Sequence, residues 1–487
     1  MSTQIRSLKP TALWNHFADL NSVPRASKKE ERVIKFIKEF GKSLGIETLE
    51  DKVGNVIIRK PATPGMENRK TIVLQSHLDM VHQKNANTVF DFDVQGIDMI
   101  IDGEWVKAKG TTLGADNGIG VATIMTILAS SDIVHPAIDA LFTIDEETGM
   151  TGAMGLEGGI LRGEILLNLD TEEDDEIDIG CAGGMDVTAE KKYHTDVLKV
   201  SDFTGLDISV KGLNGGHSGV DIHKGFGNAN KILNRLLFGQ YGAHGMRLVS
   251  FEGGSLRNAI PREGYAIVAI HNNNTAAFIK DLNSRIADIK KEYNHIEPNL
   301  DISIEIMPCP ETCMSQAEQE VIIKAIYAAH NGVYRMSPDI VDLVEASNNV
   351  AKVEIKDGFA KILCLTRSSV DSSKTDVANT LKSVFELAGM EVTFSGSYPG
   401  WMPNIHSPIL SVLIDLYENL HGSKPSVVAC HAGLECGILG KNYPEMDMIS
   451  FGPTIKGAHS PDERVNIASV QKFWDFTLEI LKNIPIK

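Results

Sequence analysis

The sequence predicts an α/β protein with a mostly parallel central sheet and an inserted α+β domain. Three observations carry that expectation. TIVLQS (71–76), AIDALFTID (137–145) and GEILLNLD (163–170) are short, continuous apolar runs, as in strands buried on both faces. Segments of helical period alternate with them, which implies a parallel sheet. The texture changes after about residue 185 and returns near residue 400, so the first domain is discontinuous.

The elements follow in order. MSTQIRSLKPTALWNHFADL has no apolar signal core and reads as a first helix. SKKEERVIKFIKEFGKSLG places apolar residues at helical spacing between a Ser27 cap and a glycine stop. GNVIIRK is a strand and GIGVATIMTILAS a helix. Beyond 185, TGLDISVKG, MRLVSFEGG, YAIVAI and LDISIEIMP read as strands with two helices among them. A similar order recurs through EQEVIIKAIYAAHNG, the strands PDIVDLVEAS and FAKILCLTR, SKTDVANTLKSVFELAG and MEVTFSGS. The expected division is a catalytic domain of 1–185 and 399–487, with 186–398 inserted as two related α+β units. SPILSVLIDLYENLHG, PSVVAC, MDMISFG and SVQKFWDFTLEILKNI then close the first domain.

Composition excludes several classes. The formal net charge of −17 argues against a nucleic-acid surface and an anionic membrane patch. The apolar runs are too short and too broken by charge for a membrane span. Six cysteines without disulfide or zinc-ribbon spacing read as reduced thiols in a cytoplasmic protein. EFGKSLG fails as a phosphate loop because Phe36 stands where the first glycine is needed. GIG at 118–120 lacks the third glycine of a dinucleotide fingerprint, and no G-x-S-x-G elbow occurs. DTEEDDEID has Asp175 where a calcium loop turns on glycine.

In open α/β sheets, chemistry gathers at the carboxyl ends of strands. TIVLQS runs into His77 and Asp79, DALFTID into Glu146 and Glu147, and EILLNLD ends on Asp170. His459 follows the MISFG strand, and GTTLGADNGIG holds Asp116 in a glycine-rich loop before a helix. Five loops therefore offer metal-type side chains at one sheet edge. Imidazoles and carboxylates without clustered thiolates suit zinc, manganese or cobalt. Two metals need a shared carboxylate, and their charge lets the three acids of TIDEETG (143–149) crowd together. One of the Glu146/Glu147 pair would bind metal and the other act as a base. The competing reading of TIDEETG is a solvated acidic turn.

SHLDMV, GADNGIG, TIDEETGMTGA, LNLDTEE, GGHSGVDIHKG, NAIP and GAHSPDE together resemble the M20 co-catalytic metallopeptidases, and within them the aminoacyl-histidine dipeptidase branch. The resemblance implies a zinc-peptidase-like catalytic domain with two divalent ions, zinc first and cobalt or manganese as alternatives. His77 and Asp170 would hold one ion, Glu147 and His459 the other, and Asp116 would bridge them. Glu146 resembles the general base, and Asp79 the acid that orients His77. A cis peptide is implied at Asp116–Asn117. The insertion resembles a lid in which His217 stabilises the oxyanion. Asn258, Arg367, His431 and Gly433 are implied or read as substrate contacts, with Glu435 a weaker choice behind His431. The implied activity is hydrolysis of unblocked dipeptides, notably Xaa-His such as β-alanyl-histidine, by a metal-bridged hydroxide. A deacylase or carboxypeptidase acting on N-blocked amino acids is the alternative. The expected partner is a small dipeptide, with neither nucleic acid nor membrane; a homodimer is left open.

Overall fold

The strands read at 71–76, 137–145 and 163–170 are neighbours in one eight-stranded sheet of the computed structural model, which describes residues 4–487. Across that sheet the order is Glu47–Glu50, Val56–Lys60, Ile138–Thr143, Ile72–His77, Ile165–Asn168, Asp447–Ser450, Glu176–Cys181 and Ser426–Cys430. Ile72–His77 and Ile138–Thr143 are buried at every position, as a sheet covered on both faces requires. The parallel character is narrower than the sequence suggested: it spans Ile138–Thr143, Ile72–His77, Ile165–Asn168 and Asp447–Ser450. Glu47–Glu50 and Val56–Lys60 pair antiparallel because residues 51–55 form a turn too short for a parallel crossover, and Val56–Lys60 also runs antiparallel to Ile138–Thr143. Asp51 holds that turn, its Oδ1 accepting from the amides of Val53, Gly54 and Asn55.

The second helix runs Glu31–Ser43, four residues after the expected Ser27 cap. Lys28 takes φ +66° there, and the Glu30 carboxylate accepts its amide, so a turn precedes the helix. Val33, Ile37 and Gly41 form the buried stripe of this helix. A small four-stranded sheet includes Ile455–Lys456 and Arg464–Asn466, which frame the loop carrying His459.

The chain divides into two units. The first takes the chain to Gly180 with Pro403–Ala429 and Leu434–Lys487; the second is Cys181–Met402 with Cys430–Gly433. A nine-stranded sheet forms the second, in the order Asp301–Met307, Phe203–Lys211, Gly264–His271, Arg247–Gly253, Val344–Lys356, Phe359–Ser368, Gly183–Lys192 and Glu391–Tyr398, with Gly332–Met336 paired off this path. Helices Ala229–Leu237, Thr275–Tyr293, Gln316–Ala328 and Asp371–Leu387 share its apolar core, through residues such as Leu233, Phe278, Ile322 and Phe385. PDIVDLVEAS is strand only from Val344 onward; the residues before it are bends and turns, as its Pro338 start favours.

Candidate metal centre and anion-binding group

His77 is the last residue of its strand, and Asp170 lies two residues beyond Ile165–Asn168. Asp116 sits at the start of helix Ala115–Ala129, where φ and ψ of Asp116 and Asn117 are not helical and their peptide is cis. Glu146 and Glu147 open the four-residue helix Glu146–Gly149. These side chains converge. Asp116 Oδ1 is 3.1 Å from His77 Nε2, and its Oδ2 is 3.2 Å from His459 Nε2. Asp170 Oδ1 is 3.5 Å from His77 Nε2, and Glu147 Oε2 is 2.9 Å from His459 Nε2. Asp116 thus faces one imidazole with each oxygen, with one further carboxylate beside each imidazole.

The three acids of TIDEETG part company. Asp145, at φ +53°, turns inward and accepts from Thr148 and from Thr151 Oγ1 at 2.7 Å. Glu147 meets His459, while Glu146 groups with His77, with ligand atoms within 4.8 Å of one another. The run is a junction rather than a solvated turn. Asp79 is fully buried behind it, with Oδ1 3.4 Å from His77 Nδ1. Its carboxylate also accepts the Glu146 amide at 3.0 Å and the Glu147 amide at 3.3 Å. The Asp79 carbonyl, 3.2 Å from His77 Nδ1, shares in holding the ring, so this one residue orients both the histidine and the acidic pair.

The electrostatics show a site short of positive charge. Burial pushes the Glu146 carboxyl well above the carboxylate range; His77 opposes the rise, and Asp170, Glu147 and Glu435 add to it. Burial likewise raises Glu147 and Asp170. His459 is held up to about 11 by its bonds to Asp116 and Glu147. Buried carboxylates crowded in this way call for cationic counter-charge. Three overlapping groups have ligand atoms within 4.8 Å: His77, Asp116 and Asp170; Asp116, Glu147 and His459; and His77, Glu146 and Glu147. Nitrogen and oxygen donors in that density fit divalent ions of the zinc, manganese and cobalt kind.

Residues that the sequence did not single out hold this cluster. Glu463 accepts four backbone amides: Leu113 and Gly114 at one oxygen (2.7 and 2.9 Å), Ala115 and Asp116 at the other (2.7 and 3.3 Å). It grips the loop that aims Asp116. Arg25, 2% exposed, donates to the carbonyls of Leu78, Asp79 and Gly114. Gly114 has φ +70°, and a Cβ there would lie 2.4 Å from Arg25 Nη2, so glycine is required twice over. Asn117 Nδ2 donates to Leu169 O at 2.7 Å and to the Asp170 carboxylate. Glu463 lies within the GAHSPDE stretch, but Arg25 in SVPRAS carries no signal of its partners.

The second unit has its own group. His217 Nδ1 accepts from the amides of Gly219 (3.3 Å) and Val220 (3.2 Å), so the neutral ring carries its proton on Nε2. Arg367 Nη2 lies 3.4 Å from that Nε2. Two donors side by side suit anionic oxygens of a ligand. Arg367 is 5% exposed and steadied by Tyr398 Oη at 2.9 Å from Nη1. His431 is buried, with Nε2 2.8 Å from Ser347 Oγ, and a Cβ on Gly219 would meet the His431 carbonyl at 2.1 Å. Burial, then Arg367, His217 and His223, push its imidazole down to about 3, so it is neutral. The Asn258 carbonyl accepts the Ser218 amide at 2.8 Å beside His217, while its side chain is exposed. Gly433 lies just before helix Glu435–Asn442. Glu435, read from the sequence as a weaker substrate contact, is instead fully buried in the first unit, bonded to Gln75 and Thr143. It falls on the inward face of its helix.

Residues 73–483 match the family model for peptidase family M20/M25/M40. The chain belongs to that family. It is similar over its full length to the cytosol non-specific dipeptidase of Escherichia coli K12, with 44% identity over 485 residues covering 100% of both chains. It is also similar to the solved aminoacylhistidine dipeptidase of Vibrio alginolyticus, at 47% identity and TM-score 0.92, covering 99% of this chain and 98% of that one. An aminopeptidase from Bacillus cereus shares the fold at 17% identity and TM-score 0.57, covering 98% of this chain and 99% of that one. Membership in this family makes the chain an enzyme of the peptidase class. Among the described residues, no helix is long and apolar enough to cross a membrane.

Proposed function

We propose that the chain is a dinuclear metallo-dipeptidase that hydrolyses the peptide bond of unblocked dipeptides, with Xaa-His substrates such as β-alanyl-histidine prominent. The divided Asp116 carboxylate, one oxygen toward His77 and the other toward His459, carries this reading. His77 and Asp170 would hold one divalent ion, Glu147 and His459 the other, and Asp116 both, with zinc first and cobalt or manganese as alternatives. Bound there, two such ions would make a water nucleophilic near neutral pH and polarise the scissile carbonyl.

The chain's own residues do the rest. Glu146 takes a proton from the attacking water and delivers it to the departing amine; burial raises its proton affinity toward that task. Asp79 fixes the His77 ring by its contact at Nδ1. We assign His217 Nε2–H to the oxyanion and the Arg367 fork to the substrate carboxylate. Asn258, His431 and Gly433 are assigned to the substrate's remaining polar groups.

We propose further that residues 1–185 and 399–487 form the catalytic domain and 186–398 a lid of two related units. The strand order supports the pairing. In each half, the first strand in the chain lies second from the rim and the second is innermost. The third lies between them, and the fourth follows a helix to the rim. The first strand of one half, Gly183–Lys192, precedes the whole other half in the chain. A cytoplasmic location fits the cytosol name of the Escherichia coli relative and six cysteines at spacings that suit no disulfide framework. A substrate panel tests the reading: zinc-loaded protein should cleave β-alanyl-histidine and leave N-acetyl-histidine intact. Cleavage of the blocked compound alone would make the enzyme a deacylase.

A further inference from the structure

Beneath the metal centre lies a row of buried polar side chains that hydrolysis, as described above, does not use. Gln75 is the register partner of Asn168, Asn168 of Ser450, and Ser450 of Asp178, on four adjacent strands of the first unit. Register partners stand on one face of a sheet. Gln75, Asn168 and Ser450 are fully buried, and Asp178 is 6% exposed. The row is continuous. Asp178 Oδ2 lies 2.8 Å from Thr171 Oγ1, which lies 2.8 Å from Ser450 Oγ. Ser450 Oγ is 2.5 Å from Asn168 Oδ1, and Asn168 Nδ2 is 2.5 Å from Gln75 Oε1. Gln75 Nε2 ends the row 2.6 Å from Glu435 Oε2.

Five contacts link these six groups, and each contact needs one proton between its heavy atoms. The inner four, Thr171, Ser450, Asn168 and Gln75, supply one each. A hydroxyl has a single proton, and an amide turns its NH₂ to one neighbour and its oxygen to the other. The ends are carboxyls, and an ionised carboxylate supplies none. We infer that this row carries a carboxylic-acid proton, and that Asp178 holds it. With the amides as they stand, every donor points toward Glu435, so the missing proton belongs at the Asp178 end. Turning both amides over would move the requirement to Glu435. Turning one alone would set oxygen against oxygen or NH₂ against NH₂. No orientation removes the need for an acid proton.

Burial raises the proton affinity of both end carboxyls, Asp178 to about 7 and Glu435 to about 8, and so favours an acid proton in the row without choosing its end; the hydrogen-bond geometry chooses it. The charged groups near Asp178 are Glu176 and Asp170, both acidic, so neither helps it ionise. Around Glu435, His77 favours ionisation, while Asp170 and Asp79 oppose it. Glu435 Oε2 already accepts from Gln75 and from Thr143 Oγ1 at 2.5 Å, and its buried Oε1 has no partner to which a proton could be given.

The position of the row gives it a consequence. Gln75 precedes His77 by two residues and Asn168 precedes Asp170 by two, the period of one strand face. Thr143 is the register partner of His77. A row of fixed polarity locks Gln75 and Asn168 in one orientation and steadies the strand ends that present His77 and Asp170. Asp178 is then a positioning residue for the centre. This consequence rests on the peptidase reading; the proton count does not.

Infrared spectra of the zinc-loaded full chain at pH 7, edited by 13C at the aspartate side-chain carboxyls so that glutamic acids drop out, test the count, because the carboxylic-acid C=O stretch is absent from an ionised carboxylate. The expected band is present in wild type, kept in Glu435→Gln and lost in Asp178→Asn. Absence of the band from wild type, or its persistence in Asp178→Asn, overturns the inference. The positioning role is read by turnover of β-alanyl-histidine. Asp178→Val cannot donate to Thr171 and should lose kcat at least tenfold, whereas the amide of Asp178→Asn should restore kcat to within threefold of wild type. Equal impairment of Asn and Val would overturn the role; if the valine chain does not fold, loss of more than tenfold in Asp178→Asn does so alone. No turnover by wild type would count against the peptidase reading and leave the infrared result to decide the proton.

Discussion

Glu146 and Glu147 are adjacent in sequence yet face different groups, because Asp79 fixes both of their amides. Glu146→Gln should therefore lower kcat by roughly a hundred- to ten-thousandfold while bound metal and KM hold, since only the proton transfer is lost. Steady-state kinetics with metal analysis checks this. Glu463 makes a different kind of contribution. Its carboxylate satisfies four amides, and Glu463→Gln turns an NH₂ toward some of them. A stability loss of about 3 kcal/mol follows from orphaned buried donors, read as a lowered denaturant midpoint with an unchanged slope.

The loop at 217–220 and the strand Phe359–Ser368 bring His217 and Arg367 together. Arg367→Lys keeps the charge and loses the fork, so KM for the free dipeptide should rise about tenfold or more with a smaller change in kcat. His431, packed on Ser347 of strand Val344–Lys356, gives a pH signature. Its folded pKa of about 3 lies below the ordinary 6.5, so it is buried neutral. The unfolded chain takes up a proton as pH falls below 6.5 while the folded chain does not, so its contribution is lost from there down toward pH 3. At pH 5 the loss is about 2 kcal/mol. His431→Gln should flatten the acid limb of the stability curve, measured by unfolding between pH 7 and 4. At this scale the sequence was legible where function is local. His77, Glu146, Glu147 and Asp170 end or follow apolar runs that announce their own strands. Arg25 and Glu463 were not legible, because their partners are backbone groups of the Leu78–Asp79 and Leu113–Asp116 segments, joined only by folding. The antiparallel margin escaped for a related reason: periodicity marks a strand but not its direction.

Taken over the whole chain, the two units each carry one chemical group: a carboxylate–imidazole cluster in the first and paired donors in the second. The change of texture near residues 185 and 400 was visible because the parallel strands are continuously apolar, whereas strands such as Glu391–Tyr398 have an exposed face. The return of Cys430–Gly433 to the second unit was not, since four residues carry no period. Removing metal should affect the first unit's stability as well as activity, because the crowded carboxylates lose their counter-charge. The measurement that bears most directly on the central claim is a zinc titration of chelated, dialysed protein, followed by β-alanyl-histidine hydrolysis. We predict no activity without metal and a rise that levels off at two equivalents per chain. Full hydrolysis by the metal-free protein would contradict the account.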